Sequence, residues 1–434
     1  MTARRSLVLA LGLALLATRA AAQEGVGVLD STVAAWFARP PAERKDGDLA
    51  PAAAVYSELV AAGRSDAARR AVVLGYRSGE AGRTARKDAR AVAAGELAMP
   101  FTLERRGRRP ERGYPVFIAL HGGGGVPREV NDQQWEVMQR YYRATDCIYV
   151  APRAPTDAWN GFYTEYVYPL VGELLRHLNV FEEIDPDRVY LLGYSHGGYG
   201  AFSIGMKMAD RFAAIHADAA APTDGDSAPE NLRNTAFSCL VGERDADFGR
   251  RARCEAFALA VTKLRGDATD TYPVTVEVAP GKHHPDLGDH DRPALLSGVR
   301  RTPAPRTLRW RPTDPVVKDF AWLSLSAPAR GQELSASVDG NRVEVTASGF
   351  EAPAPDVQPP PACVLRVRLD ARLVDARRPV TVVVNGRVAF EGALAPDLAT
   401  LCRTLAERGD PGLAFDREVA VTLGPGEGRQ SPRK

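Results

Sequence analysis

The stretch Ile184-Asp185-Pro186-Asp187-Arg188-Val189-Tyr190-Leu191-Leu192-Gly193-Tyr194-Ser195-His196-Gly197-Gly198 decides how this chain is read. Val189 to Leu192 is an unbroken apolar run, as a strand buried on both faces requires. A G-x-S-x-G pattern, Gly193 to Gly197, follows at once, and a helix-like run begins after Gly198. A serine at such a strand-to-helix bend projects its hydroxyl from a strained backbone, and glycines two residues to either side let neighbouring chain approach. The helix beyond aims its N-terminal dipole end at the same place, which makes the His196 amide a candidate oxyanion donor. By itself the pattern also fits a plain surface turn.

Working outward toward the N-terminus, His121-Gly122-Gly123-Gly124-Gly125 directly follows the apolar strand Val116 to Leu120. Four consecutive glycines are costly in chain entropy, and they suit a backbone that must bring free N–H groups close to a ligand. The amide of Gly123 or Gly124 is the second candidate oxyanion donor; a flexible hairpin loop is the plain alternative.

Working toward the C-terminus, a nucleophilic serine needs a base and an orienting acid, each on a loop after a strand. Asp245, in Gly242-Glu243-Arg244-Asp245 after the strand ending at Val241, is the candidate acid. Asp247 is its close competitor, and Asp218, after the preceding strand, a distant one. Ala279-Pro280-Gly281-Lys282-His283-His284 follows the last apolar strand of this region. A proline-glycine turn with two spacers favours His284 as the base, with His283 the alternative. Asp286, Asp289, His290 and Asp291 lie just beyond, but their spacing matches no metal-ligand pattern, so a polar surface loop and no metal are expected.

From residue 99 to 300, short β-type runs alternate with amphipathic helices, which builds a mostly parallel sheet covered on both faces. The strands are expected at Val116 to Leu120, Cys147 to Ala151, Val189 to Gly193, Ala213 to Ala217, Phe237 to Val241 and Val274 to Val278. Trp135, Met138 and Tyr142 recur at helical spacing, as do Val167, Val171, Leu174, Leu175 and Leu178. Residues 23–98 read as a helical N-terminal extension, with one short helix-like piece after Asp48 and another from Asp66 that stops near Gly75. Thr302-Pro303-Ala304-Pro305 reads as a linker, and residues 306–423 as a small β-rich accessory domain with a hairpin signal at Asn385-Gly386. Within it Trp310 and Trp322 are the only candidates for carbohydrate stacking, and core placement explains them as well. Residues 424–434 read as a disordered tail.

The quoted bend resembles the nucleophile elbow of α/β-hydrolases, and more closely that of secreted polyhydroxybutyrate depolymerases and feruloyl or acetylxylan esterases, over roughly residues 99 to 296. The resemblance implies an α/β-hydrolase fold and a secreted serine esterase, a carboxylesterase with the catalytic triad Ser195, Asp245 and His284 and no cofactor. It implies an ester substrate, whether a small molecule, a polysaccharide ester or a polyester. The segment Arg153 to Trp159 resembles the part that lines the acyl or alcohol pocket in those relatives. Relatives often carry glycine where His283 stands. Prolyl-oligopeptidase-like peptidases share the elbow and triad order, but usually carry a large propeller for which the segment before residue 99 leaves no room. A hydrolase fold that has lost activity and serves as a binding protein is the non-enzymatic alternative.

The N-terminus points to export. Arg4 and Arg5, the apolar run Leu7 to Ala17 and Ala20-Ala21-Ala22 form a secretory signal peptide over residues 1–22, too short in its apolar part to span a bilayer. A secreted or periplasmic protein with no membrane association after cleavage is expected. Lysine and arginine (56) nearly balance aspartate and glutamate (54), so the net charge of +2 gives no reason to expect nucleic acid as a partner. The five cysteines lack C-x-x-C spacing; Cys239 with Cys254 and Cys363 with Cys402 are conceivable disulfides, and Cys147 suits a buried position.

Overall fold

The computed structural model describes residues 25–84, 89–350 and 362–424. The expected signal peptide, the proline-rich stretch 353–361 and residues 425–434 of the expected tail lie outside them. Two compact units are present: residues up to 88 with 394–417, and residues 89–393 with 418 onward.

In the first unit, helix α1 (residues 25–38) precedes α2 (Ala50–Ala61) and α3 (Ser65–Thr84). Leu29, Val33, Trp36 and Phe37 are all buried, at the period of one helix face. The expected stop near Gly75 does not occur: α3 runs through it for 20 residues. Gly75 and Gly79 serve packing instead. A β-carbon at Gly75 would lie 2.5 Å from the Asp30 carbonyl oxygen, and one at Gly79 would lie 2.4 Å from that of Ala34, so both glycines let α3 cross α1 closely. Within the segment read as β-rich, Leu398–Arg408 is a helix, with Asp397 accepting from the amides of Ala399 and Thr400 at its start and Gly409 closing it at φ 60°.

The second unit is built on an eight-stranded sheet: β1 (Ala91–Ala94), β2 (Leu97–Arg106), β3 (Tyr114–Leu120), β4 (Cys147–Pro152), β5 (Ile184–Tyr194), β6 (Ala214–Asp218), β7 (Ala236–Gly242) and β8 (Val274–Ala279). Its order is β1-β2-β4-β3-β5-β6-β7-β8. The six strands anticipated from the sequence are the six parallel ones, while β1 and β2 pair antiparallel. The sheet therefore starts at Ala91, inside the stretch read as helical. Alanine-rich β1 lacks intrinsic strand preference, and its pairing to β2 overrides local propensity.

Helices α4 (Arg128–Tyr141), α5 (Val167–Phe181), α6 (His196–Lys207), α7 (Arg250–Arg265) and the short α8 (Arg292–Leu296) complete this part. Met138 packs in one cluster with Phe117, Tyr149, Tyr190 and Leu192, as its helical spacing implied. Tyr142 joins the same cluster after the chain has left α4 for an extended conformation. The strand order, the two antiparallel strands at one edge and a bend carrying Ser195 after the fifth strand make this an α/β-hydrolase fold.

Beyond the linker come β9 (Thr307–Trp310), β10 (Asp319–Phe320), β11 (Leu323–Leu325), β12 (Glu333–Asp339), β13 (Arg342–Ser348), β14 (Cys363–Leu369), β15 (Val380–Val384), β16 (Arg387–Gly392) and β17 (Arg417–Leu423). They form one sheet ordered β10-β11-β14-β17 and another ordered β16-β15-β13-β12-β9. Asn385 and Gly386, at φ 49° and 78°, make the expected hairpin turn between β15 and β16. Trp310 and Trp322 are buried, and Trp322 Nε1 donates to the Pro305 carbonyl at 2.7 Å, so neither ring is displayed for stacking on a sugar. The conceivable disulfides are not formed: all five cysteines are buried thiols, with Cys239 and Cys254 Sγ 3.4 Å apart.

Candidate active site

Ser195 occupies a left-handed-side backbone conformation, φ 54° and ψ −115°, between β5 and α6. A non-glycine residue holds such a position only when its surroundings impose it. They do so here by close approach. A β-carbon at Gly193 would lie 2.0 Å from the Gly197 carbonyl oxygen, one at Gly197 2.2 Å from that of Leu120, and one at Gly198 2.4 Å from that of Asp218. The Ser195 amide donates to the Asp218 carbonyl at 2.9 Å, which ties the bend to the end of β6.

Ser195 Oγ lies 2.9 Å from His284 Nε2, and His284 Nδ1 lies 2.8 Å from Asp245 Oδ2. With the serine hydroxyl donating to Nε2, the imidazole proton sits on Nδ1 and faces the carboxylate. The loops that deliver Asp245 and His284 interlock at the ends of β7 and β8: the Arg244 amide donates to the Lys282 carbonyl at 2.9 Å, and a β-carbon at Gly242 would meet that same carbonyl at 2.5 Å. Arg250, at the start of α7, donates from Nη1 to Asp245 Oδ1 at 2.5 Å and from Nε to the Tyr199 hydroxyl at 3.1 Å. Tyr194 donates to the His284 carbonyl at 3.1 Å. Sequence reasoning did not single out Arg250 or Tyr194. Of the alternatives, His283 is exposed, with its amide donating to the Asp286 carboxylate at 3.4 Å, and Asp247 is exposed in the turn before α7. Asp218 is buried beneath the bend, where burial and then the Asp289 charge push its carboxyl well above the usual range.

The glycine loop is held from behind by Asn131, which is buried and was also not anticipated. Its Oδ1 accepts the Gly124 amide at 2.8 Å, while Nδ2 donates to the Val126 carbonyl and to Asp157, each at 3.0 Å. The Gly125 amide donates to the Asp157 carbonyl at 2.8 Å, and Arg153 in turn bonds Asp157 and, at 2.8 Å, Asp132. This corrects one expectation. The Gly124 amide is engaged with Asn131 and is not free for an oxyanion, whereas the Gly123 amide, at φ 101°, has no acceptor among the described residues. The His196 amide opens α6 and has no intrahelical acceptor. His121 donates from Nδ1 to the Gly122 carbonyl at 2.6 Å and accepts the Ala154 amide on Nε2 at 3.0 Å, so burial, which lowers its pKa to about 4, keeps it neutral. The His196 ring is buried among Trp159, Phe162 and Tyr163, and burial pushes it down to about 3.

Two large aromatic side chains are exposed beside this ring: Trp159, 44% exposed, and Phe248, 64% exposed, with centroids 5.3 Å apart. Phe248 also has a positive φ of 54°. No group of three metal-ligating side chains occurs among the described residues, and no described helix is long and apolar enough to cross a membrane.

No family model matches this chain, and no curated protein matches it. Among solved structures it is similar to a thermostable esterase at 20% identity and a TM-score of 0.39, over 49% of this chain and 62% of the esterase. It is also similar to an S-formylglutathione hydrolase from Agrobacterium tumefaciens at 20% identity and a TM-score of 0.37, over 48% of this chain and 94% of that one. A third is a poly(3-hydroxybutyrate) depolymerase from Bordetella parapertussis at 19% identity and a TM-score of 0.36, over 47% and 86%. The chain thus spans less than two thirds of the esterase, and the fold assignment rests on strand order and the Ser195 bend rather than on these matches.

Proposed function

We propose that this chain is a serine hydrolase that cleaves carboxylic esters outside the cytoplasm, after removal of residues 1–22. The observation that carries the reading is the continuous hydrogen-bonded line from Ser195 Oγ through His284 to Asp245, with steps of 2.9 and 2.8 Å. In this reading His284 Nε2 takes the hydroxyl proton as Ser195 Oγ attacks the ester carbonyl. The amides of Gly123 and His196 receive the oxyanion, and Asp245 stabilises the imidazolium. The imidazolium then protonates the departing alcohol. Water, deprotonated by His284, attacks the acyl-serine and releases the acid, restoring the free hydroxyl. No step calls for a cofactor.

The test is labelling with a fluorophosphonate probe, paired with turnover of a chromogenic acyl ester and an aminoacyl-proline anilide. Labelling and ester turnover that both vanish in Ser195→Ala are expected. An unlabelled wild-type protein would indicate a binding protein instead, and preference for the anilide a peptidase.

A further inference from the structure

The loop that delivers His284 runs on to Asp289, whose side chain is 1% exposed. Asp289 Oδ1 accepts the Tyr141 hydroxyl at 2.8 Å, and Oδ2 lies 2.8 Å from His216 Nε2. Ser238, which pairs with His216 across β6 and β7, places Oγ 2.7 Å from Nδ1. With that hydroxyl donating to Nδ1, the imidazole proton sits on Nε2 and points at Asp289. The sequence suggested a polar surface loop here; the structure contains a second, wholly internal Asp–His pair.

Burial lowers the His216 pKa, which keeps the ring neutral. Against the opposing effect of burial, the hydrogen bonds from His216 and Tyr141 help hold Asp289 down at about 2. One negative charge is therefore enclosed beside the triad. Enclosing a charge is unfavourable, and a loop that only needed covering would use an apolar side chain. The placement of the pair suggests what it does. Tyr141 ends α4, and its ring lies 5.7 Å from that of Tyr194, whose hydroxyl bonds the His284 carbonyl. The next residue, His290, is fastened to the same corner: its Nδ1 meets the Tyr141 carbonyl at 2.9 Å and its carbonyl accepts the Arg143 amide at 2.8 Å. Asp218 on β6 accepts the Ser195 amide. The frame of the nucleophile and the loop of the base thus meet at this cluster.

We propose that Asp289 is a positioning residue: by anchoring its loop to His216 and Tyr141, it fixes the reach of the His284 imidazole to Ser195 Oγ. The inference rests on the serine-hydrolase reading above.

The experiment compares Asp289→Asn and Tyr141→Phe with the wild type in kcat and KM for a chromogenic acyl ester, fluorophosphonate labelling rate, and thermal melting. Because small displacements of a reacting pair cost rate rather than binding, Asp289→Asn is expected to lower kcat about tenfold or more, with KM within about twofold. Labelling should slow in parallel, and Tyr141→Phe should lose about threefold in kcat, since it removes one of the two side-chain donors to Asp289, leaving His216. A folded Asp289→Asn protein that turns over and labels at the wild-type rate overturns the inference, as does a loss confined to KM. If Asp289→Asn does not melt cooperatively, Tyr141→Phe decides, and an unchanged kcat there overturns it. A wild type that does not label removes the underlying reading and this inference with it, whereas a labelled wild type matched by Asp289→Asn removes this inference alone.

Discussion

The guanidinium of Arg250 takes the one carboxylate oxygen of Asp245 that His284 leaves free, at 2.5 Å, with both side chains buried. The Asp245 carboxylate is thus held from both sides in a single orientation. Removing Arg250 leaves a buried carboxylate without its cation, an effect of about 3–5 kcal/mol for enclosed pairs. Arg250→Leu is expected to lose stability of that order and a large part of kcat, read by urea unfolding and steady-state kinetics. Asp245→Asn keeps the shape but reverses the tautomer preference, and should lower kcat by about 10⁴-fold. A variant at either position with wild-type turnover would show that the acid does not act through His284.

Asn131 holds the glycine loop from behind, and in the proposed mechanism it steadies the oxyanion donor. Asn131→Ala releases the Gly124 amide and uncouples the loop from Asp157. A loosened oxyanion donor weakens transition-state more than ground-state binding, so a fall in kcat of about tenfold with little change in KM is expected. Equal loss in both parameters would point to a general collapse of the pocket.

Gly79→Ala distinguishes packing from propensity. Alanine in an exposed helix interior stabilises by about 1 kcal/mol relative to glycine. At this site the added carbon would lie 2.4 Å from the Ala34 carbonyl oxygen, and overpacking of this kind costs about 1–3 kcal/mol. A lowered melting temperature is expected; a raised one would show that α1 and α3 do not cross there.

The buried His121 and His196 rings should make the protein less stable as pH falls below 6.5. Burial lowers His121 to about 4 and His196 to about 3, against 6.5 for each in the unfolded chain. A depressed folded value means that the unfolded state binds the extra proton, so the stabilisation is complete above 6.5 and is lost as pH falls toward 4 and then 3. The slope approaches about 1.4 kcal/mol per pH unit for each ring across its window. Urea midpoints measured from pH 7.5 to 4.5 should fall, and the fall should shrink in His121→Asn if that variant folds. Flat midpoints would contradict this placement of the rings.

Phe248 is exposed on a strained backbone, against Trp159. If substrate passes this aromatic pair, removing the ring deletes apolar contact surface while leaving the Ser195–His284–Asp245 line intact. Phe248→Ala is therefore expected to raise KM for long acyl esters about tenfold, within the roughly 1–3 kcal/mol that a lost apolar contact is worth, and to leave acetyl ester turnover unchanged. An equal effect on both esters would place the ring outside the substrate's path.

The parallel strands and the Ser195 bend were legible because each rests on a local signal: an unbroken apolar run, or glycines where side chains cannot fit. Asp245 and His284 could be favoured over Asp247 and His283 from their places after β7 and β8, while the interlocked loops that bring them to Ser195 could not be read from sequence. Other features depend on partners distant in sequence. Arg250, Asn131 and Tyr194 act by side-chain bonds across loops, the β1–β2 edge forms by pairing against weak propensity, and Gly75 signals a helix end unless the helix that covers it is known. The helix Leu398–Arg408 is different, since Asp397 and Gly409 mark its two ends in the sequence itself.

Gly193, Gly197 and Gly198 each press against main chain from a different segment: the bend itself, the end of β3 and the end of β6. Main chain cannot step aside as a flexible side chain can. A side chain at any of the three would have to displace backbone, so the bend has far less room for change than the loops bearing the exposed rings of Trp159 and Phe248.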